Sequence, residues 1–434
     1  MKDKKLYQDI KSAVDSIKVF DTHEHLTYES EWKDREIDFY NIFLIYVDGD
    51  LLSSGLSLED LGKLTSPEID LEEKWKIFYP YWDLAKNTNY SKSAMIFLKD
   101  LFLQDKLDYE TTVKVTDQLK KAKATDYFLK ILKEKAKIEY ILNHNDPMEL
   151  LGQPEPDYDY FLPILSVDKH IMINSKSELE KIEKASDIAI YSFTDYLKYI
   201  DTVFEKRLDG IYGIKIGIAY GRDINFKDVS GYDAEKAFEK LLNLKKYDWH
   251  RWDDRDNVSI EDLRPFQDYC FHYFIKKAVA EDLPVQIHTG ILAGTDSDIS
   301  NANPTKLVDL ILKYRKARFD LFHTGYPYSD ELICMVKAAP NCYFDMCWMS
   351  YISRTLYKNI LNLAIELIPS HKIFGFGGDN IYVEGSYASL KVARQAITEV
   401  LYGRIEEGYF GFEEAVEFAK KILSDNPKRI YLEQ

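Results

Sequence analysis

The chain reads Asp21-Thr22-His23-Glu24-His25 near its amino terminus, after a short apolar run. Residues two apart on a strand project to the same side, so both imidazoles can converge on one metal ion. Two later runs end in the same manner, PVQIHTG at His288 and FDLFHTGYPY at His323. A fourth, IFGFGGDN, ends in Asp379, in alternation with Ile373, Gly375 and Gly377, and its glycines leave room for a neighbouring backbone or ligand. One strand-end histidine is most often a hydrogen-bonded structural residue. Recurrence at the ends of four strands, in order, favours a converging site instead. Three imidazoles and a carboxylate suit a divalent transition metal, Zn²⁺ first, with Mn²⁺ or Fe²⁺ as alternatives.

The segment IYGIKIGIAYGRD carries a further expectation. Tyr212, Ile214, Ile216, Ile218 and Tyr220 are large, whereas Gly213, Gly217 and Ala219 are small and alternate with them beside Lys215. The large set is expected to pack on outer helices and the small set to line a crowded barrel interior, which points Lys215 inward. A buried ammonium needs an anion, so Lys215 is expected to meet a substrate carboxylate or an acid partner, in preference to bridging two metals after carboxylation. Arg222, just beyond, could fork onto a carboxylate. Tyr326, Tyr328, Trp348 and Asn380 follow strand ends and are candidates for the pocket wall, whereas His144, after ILN, is left outside the metal shell.

These residues need a scaffold that brings strand ends together. Eight candidate strands run from Lys18 to Thr22, Ile138 to Leu142, Phe161 to Val167, Ile211 to Ile218, Pro284 to Ile287, Phe319 to Phe322, Cys342 to Met346 and Ile373 to Phe376, separated by helix-period stretches. That alternation is the signature of a parallel sheet, and eight strands suggest a closed α/β barrel of the (β/α)8 TIM type. Barrel active sites lie at the carboxyl ends of the strands, where His23, His25, His288, His323 and Asp379 would meet. The spacing requires two insertions. Residues 27–137 read as a helical cap over one end, leaving 1–26 and 138–434 as the barrel. The stretch from Asp223 to Asp262, with its KKYDWHRWDDRDN, reads as a surface loop or short helices.

Composition narrows the class of partner. Of 434 residues, 57 are Lys or Arg and 73 Asp or Glu, a formal charge of −16, which argues against nucleic acid and anionic membranes. Cys270, Cys334, Cys342 and Cys347 show no CxxC spacing, so neither a disulfide framework nor a zinc ribbon is expected. The charged amino terminus lacks the apolar run of a secretory signal, and the expectation is a cytoplasmic protein acting on a small molecule. Self-association is common among barrel enzymes, but no stretch identifies an interface.

DTHEHL, the lysine of GIKIGIAYGRD, QIHTG, FHTGYPY, GFGGDN and the closing ILSDNPKRIY together resemble the amidohydrolase superfamily, in particular its amidohydrolase-2 branch. The likeness covers roughly 18–26 and 138 to the carboxyl end. It implies that His23, His25 and His288 bind the metal, that Asp379 binds or faces it, and that His323 is an acid or electrophile beside it. The resemblance leaves the count of ions open, and the reading of Lys215 as a substrate or acid partner favours one ion over two. Lys215 matches a lysine whose role differs between branches. The expected chemistry is metal-dependent hydrolysis of an amide, lactone or ester: the cation acidifies water, Asp379 takes its proton and passes it to the leaving group, and His323 steadies the oxyanion, with Lys215, Arg222, Tyr326 and Trp348 around the substrate. The alternatives are a non-hydrolytic decarboxylase or uronate-isomerase-like enzyme, and a barrel that binds without catalysis.

Overall fold

The computed structural model describes residues 3–144, 156–244, 257–295 and 297–433. Nine short strands fill the eight expected positions: β1 (Val19–Glu24), β2 (Ile138–Asn143), β3 (Phe161–Pro163), β4 (Leu165–Ser166), β5 (Ile214–Ile216), β6 (Val285–Ile287), β7 (Phe319–Leu321), β8 (Cys342–Asp345) and β9 (Ile373–Phe374). The third position is split because Pro163 has no N–H to continue a ladder. There the chain changes partner: Ile164 N donates to Asn143 O on one side and Leu165 N to Gly213 O on the other.

All strand pairs are parallel, in the orders β1-β2-β3 and β4-β5-β6-β7-β8-β9. Backbone bonds close the remaining seams, Tyr212 N to Pro163 O at 2.9 Å and Thr22 N to Phe376 O at 3.1 Å. The result is a closed α/β barrel, as the strand count requires. Among the described residues no helix is long and apolar enough to cross a membrane.

Two of the expected strands are shorter than their apolar runs. Pairing in the Ile211–Ile218 run stops at Ile216, where Gly217 N turns onto both oxygens of Asp168, and a 3-10 turn covers Ile218–Tyr220. The alternation therefore fails at its end. Tyr220, expected against the outer helices, stands half-exposed at the barrel mouth instead. Likewise β9 ends at Phe374, so strand alternation does not aim Asp379. Residues 375–378 run irregularly along β1, and a Cβ at Gly377 or Gly378 would lie 2.7 Å from Thr22 Oγ1 or 1.9 Å from Glu24 Oε1. The glycines of GFGGDN make room for side chains of the DTHEH strand.

Residues 27–137 hold helices Glu29–Asp34, Phe39–Phe43, Val47–Ser53, Leu58–Thr65, Leu71–Ala85, Asn89–Phe102 and Tyr109–Ala122, then a wide helical turn over Leu129–Lys135. Asp38, Ser57, Asp70, Thr88 and Asp108 accept from the first-turn amides of five of these, the local reason they start where they do. Phe39, Phe43, Phe78, Trp82 and Phe97 are buried among them. Asn89 Nδ2 donates to Ser350 O and Tyr351 O, fastening the helices to the loop after β8. In the second gap, where a surface loop or short helices were expected, GYDAEKAFEKLL forms a helix (Gly231–Leu242). Ala234, Ala237, Phe238 and Leu241 form its buried face, and Ser230 caps it. Most of KKYDWHRWDDRDN, residues 245–256, lies outside the described residues.

The lower barrel interior is polar. Tyr431, from the closing motif, donates to Asp320 Oδ2 at 2.5 Å and accepts from Gln286 Nε2 at 3.0 Å, while Asp345 Oδ1 accepts from Cys347 N. Burial pushes the Asp345 carboxyl up to about 7 and Asp320 well above the ordinary carboxylate range. The folded protein thus keeps protons that the unfolded chain releases above its ordinary value of 3.8. Stability from this pair is full below that value and falls as pH rises toward 7. Asp345→Asn, which mimics the protonated acid, is expected to match the parent near pH 4 and to exceed it at pH 8 by on the order of 1–3 kcal/mol. Urea unfolding with chelator present at both pH values reads this, and equal stability at pH 8 contradicts it.

Candidate active site

Three strand ends supply the imidazoles and the segment after β9 the carboxylate, and His23, His25, His288 and Asp379 line one cavity of about 860 Å³ at the barrel mouth. His23 and His25 come from β1, and their Nε2 atoms lie 3.0 Å apart. Asp379 Oδ1 is 3.5 Å from His23 Nε2 and 3.4 Å from His25 Nε2. Its other oxygen, Oδ2, faces His323 Nε2 at 3.7 Å, and His323 Nε2 in turn is 3.2 Å from His288 Nδ1. The carboxylate joins two imidazole pairs, one through each oxygen.

The ring nitrogens facing away from this centre identify the tautomers. His25 Nδ1 faces His144 O at 3.2 Å, His288 Nε2 faces Ile291 O at 2.9 Å, and His323 Nδ1 faces Cys347 O at 3.1 Å. A carbonyl only accepts, so each of these nitrogens carries the N–H and the opposite nitrogen presents a lone pair to the cavity. An imidazole anchored on a carbonyl through its second nitrogen is the usual support of a metal ligand.

Burial, the largest cause, aided by the Lys215 ammonium, holds His25 and His288 down at about 3 and His23 well below the ordinary range. It does the same to His323, where the neighbouring His288 adds to it ahead of Lys215. The lone pairs of His323 Nε2 and His288 Nδ1, facing one another at 3.2 Å, are a repulsive arrangement that a cation relieves. The residues therefore fit a divalent metal, with His23, His25 and Asp379 as the tightest convergent set and His288 facing the same space one imidazole away. Burial raises the Asp379 carboxyl to about 6, against the opposing pull of Lys215 and a Tyr46 hydrogen bond.

Lys215 lines the cavity, its Nζ 3.1 Å from His23 Nε2 and 4.0 Å above the Phe322 ring. Trp348 lines it too. Arg222 does not: it is buried and paired with Asp268 at 2.6 Å, with Gln267 accepting a second bond at 3.1 Å. That carboxylate has taken the fork that the sequence offered to substrate. Tyr326 and Tyr328 also lie outside the cavity lining; Asn380 is fully buried behind it, donating from its backbone to Glu24 Oε2.

Several lining residues were not singled out from sequence as site residues. His144, just after β2, packs its ring tilted against His25 with centroids 4.8 Å apart, and its strand-end position was the available signal. Cys347 lies with His323 and Asp379 in a buried group whose ligand atoms are within 4.8 Å of one another. Ser166, Asp168 and Met172 come from the end of β4 and the loop after it, and Ile45, Tyr46 and Asp48 from the inserted helices. No local pattern marks these.

Tyr46 ties insertion to metal site, because its hydroxyl donates to the Asp379 carbonyl. Tyr46, His323, Thr324, Trp348 and Asp379 all adopt positive φ, between 51° and 65°. Each such non-glycine residue costs on the order of 1–3 kcal/mol unless its surroundings hold it, and they gather here, around the cavity. Tyr46→Phe removes the bond that holds Asp379 from outside. Metal affinity or turnover is expected to fall about 10- to 100-fold, the range for groups that support a ligand, with the fold unchanged by circular dichroism. Unaltered metal affinity and turnover would show that the cap merely covers the site.

The amidohydrolase family model matches residues 242–432. Protein fluG of Emericella nidulans is 24% identical over 230 residues, which cover 51% of this chain and 25% of that protein, so the chain spans only about a quarter of that relative. Among solved structures, uronate isomerase of Thermotoga maritima superposes with a TM-score of 0.78 at 15% identity, covering 99% of this chain and 98% of that one. Glucuronate isomerase of Caulobacter crescentus gives 0.76 at 19% identity over 99% and 94%. A proposed metal-dependent hydrolase of Lactobacillus casei gives 0.67 at 16% identity over 98% and 97%. At these identities the structures speak to the fold alone. The family match covers less than half of the chain, including the segments that carry His288, His323 and Asp379, and over that part the chain is similar to the amidohydrolase family.

Proposed function

We propose that the protein is a metal-dependent hydrolase acting on an amide, lactone or ester of a small molecule. The observation that carries this reading is the convergence of neutral His23 and His25 on Asp379 Oδ1, with His323 facing its other oxygen and His288 against His323. His23, His25 and Asp379 would hold a divalent cation, which when bound would supply Lewis acidity toward water and the substrate carbonyl. Zinc is the first choice for imidazole-rich sites, and a single ion is proposed. Asp379, its carboxyl raised by burial, accepts the proton of the attacking water and delivers it to the leaving group. His323 and His288 border the position where negative charge develops, and Lys215 offers a positive charge from β5. Tyr46 and Trp348, with ring centroids 4.7 Å apart, wall off solvent above.

A second reading, isomerisation of a uronate, is favoured by the superposition on the two isomerases over nearly the whole chain. The cavity itself favours hydrolysis. Among the described residues Lys215 is the sole Lys or Arg in its lining, beside Asp48, Asp168 and Asp379, and Arg222 is committed to Asp268. A uronate carboxylate would meet three acids and no guanidinium fork. Turnover of an amide and lactone panel in H₂¹⁸O, with mass spectrometry of products, tests the proposal: one ¹⁸O per product supports hydrolysis. Interconversion of aldose and ketose uronates without incorporation replaces it with isomerisation.

A further inference from the structure

Away from the barrel mouth, a cleft of about 370 Å³ lies between the amino-terminal helix Lys4–Ser16, the end of the 129–137 stretch and the long helix Val383–Glu406. Lys11, Lys135, Lys137, Lys391 and Arg394 line it, with Asp15 as the sole acid in the lining. Two of the lysines are already neutralised, Lys11 by Asp15 and Lys391 by Asp100. The other three cations meet only carbonyl oxygens among the described residues: Lys137 Nζ at 3.0 Å from Asp15 O, Lys135 Nζ at 3.4 Å from Asp100 O, and Arg394 Nη2 at 2.7 Å from Ile17 O.

Arg394 matters most. It is 8% exposed, and its Nε is buried with no acceptor among the described residues. Asp15 acts on Arg394 across the cleft, but among the described residues no carboxylate hydrogen-bonds the guanidinium. A buried guanidinium without such a partner is costly, and an anion in the cleft offsets that cost. Three cations around one concavity whose hydrogen bonds among the described residues go to carbonyl oxygens also stand out on a chain of net charge −16.

We infer that this cleft binds a small, multiply charged anion of phosphate type. Arg394 presents donors from its floor, and Lys135 and Lys137 close over the anion from the rim. The site is independent of the hydrolase reading and of the metal.

Calorimetric titration of the full chain with pyrophosphate and with inorganic phosphate tests it, using the parent, the exposed-lysine double variant Lys135→Ala/Lys137→Ala, Arg394→Gln, and His25→Ala as a control for anion capture at the barrel mouth. The expected result is saturable pyrophosphate binding that weakens with added salt, falls at least tenfold in the double variant and in Arg394→Gln, and persists in His25→Ala. Acetylation footprinting is expected to show Lys135 and Lys137 protected by pyrophosphate. Because both lysines are exposed, the double variant stays informative even if Arg394→Gln fails to fold. Absence of saturable binding overturns the inference. So does binding that survives the double variant or is lost in His25→Ala.

Discussion

His25→Ala is expected to purify folded, without stoichiometric divalent metal, and with turnover lower by on the order of 10³-fold or more, the several kcal/mol that Lewis-acid stabilisation supplies. The side chain is 38% exposed, so its truncation opens no core cavity. What it removes is a lone pair aimed at Asp379 and held in place by the N–H bond to His144 O. Elemental analysis of parent and variant, alongside activity, decides the matter. A variant that retains a full equivalent of metal would show that the cation sits elsewhere, and the assignment of the β1 histidines would fall with it.

Asp379→Asn separates holding the metal from moving the proton. Asparagine keeps the shape, tolerates the positive φ of 56° at this position and leaves the backbone carbonyl free to accept from Tyr46. It removes the negative charge and the proton acceptor. Turnover is expected to fall by on the order of 10³-fold, within the combined scale of a lost general base and a weakened electrostatic site, with part of the metal retained. Single-turnover rates normalised to bound metal provide the measurement. Full turnover in a metal-loaded Asp379→Asn protein would refute Asp379 as the base and move that role to another group at the mouth.

The two variants differ in what they owe to the sequence pattern. His23 and His25 follow from β1 alone, since strand alternation fixes their common side before anything else is known. His288 and His323 follow nearly as directly, each within two residues of the end of a short parallel strand. Asp379 reaches the site by a different route from the one its sequence suggests. β9 ends five residues earlier, and the carboxylate is aimed by backbone bonds to β1, by the clearance at Gly377 and Gly378, and by Tyr46. The residue was legible, but the cause of its placement was not.

Arg222 and Tyr220 show the same limit from opposite sides. Both follow β5, where alternation stops at Gly217. Beyond that point the direction of a side chain depends on which partner arrives from elsewhere. Asp268, forty-six residues later, captures Arg222, while Tyr220 is left at the mouth against His288 at 5.1 Å.

By itself, the sequence determined the barrel, the strands that bring the imidazoles, the presence of the aspartate, and the helical character of the insertion. These are short-range properties of periodicity, turn chemistry and side-chain type. Only the tertiary structure decided which nitrogen each histidine presents, that Asp379 divides its oxygens between two imidazole pairs, that Tyr46 reaches from the insertion to Asp379, and that Arg222 is spent on Asp268. Each of those depends on a carbonyl, hydroxyl or carboxylate brought from a distant part of the chain, and no local pattern records who that partner will be.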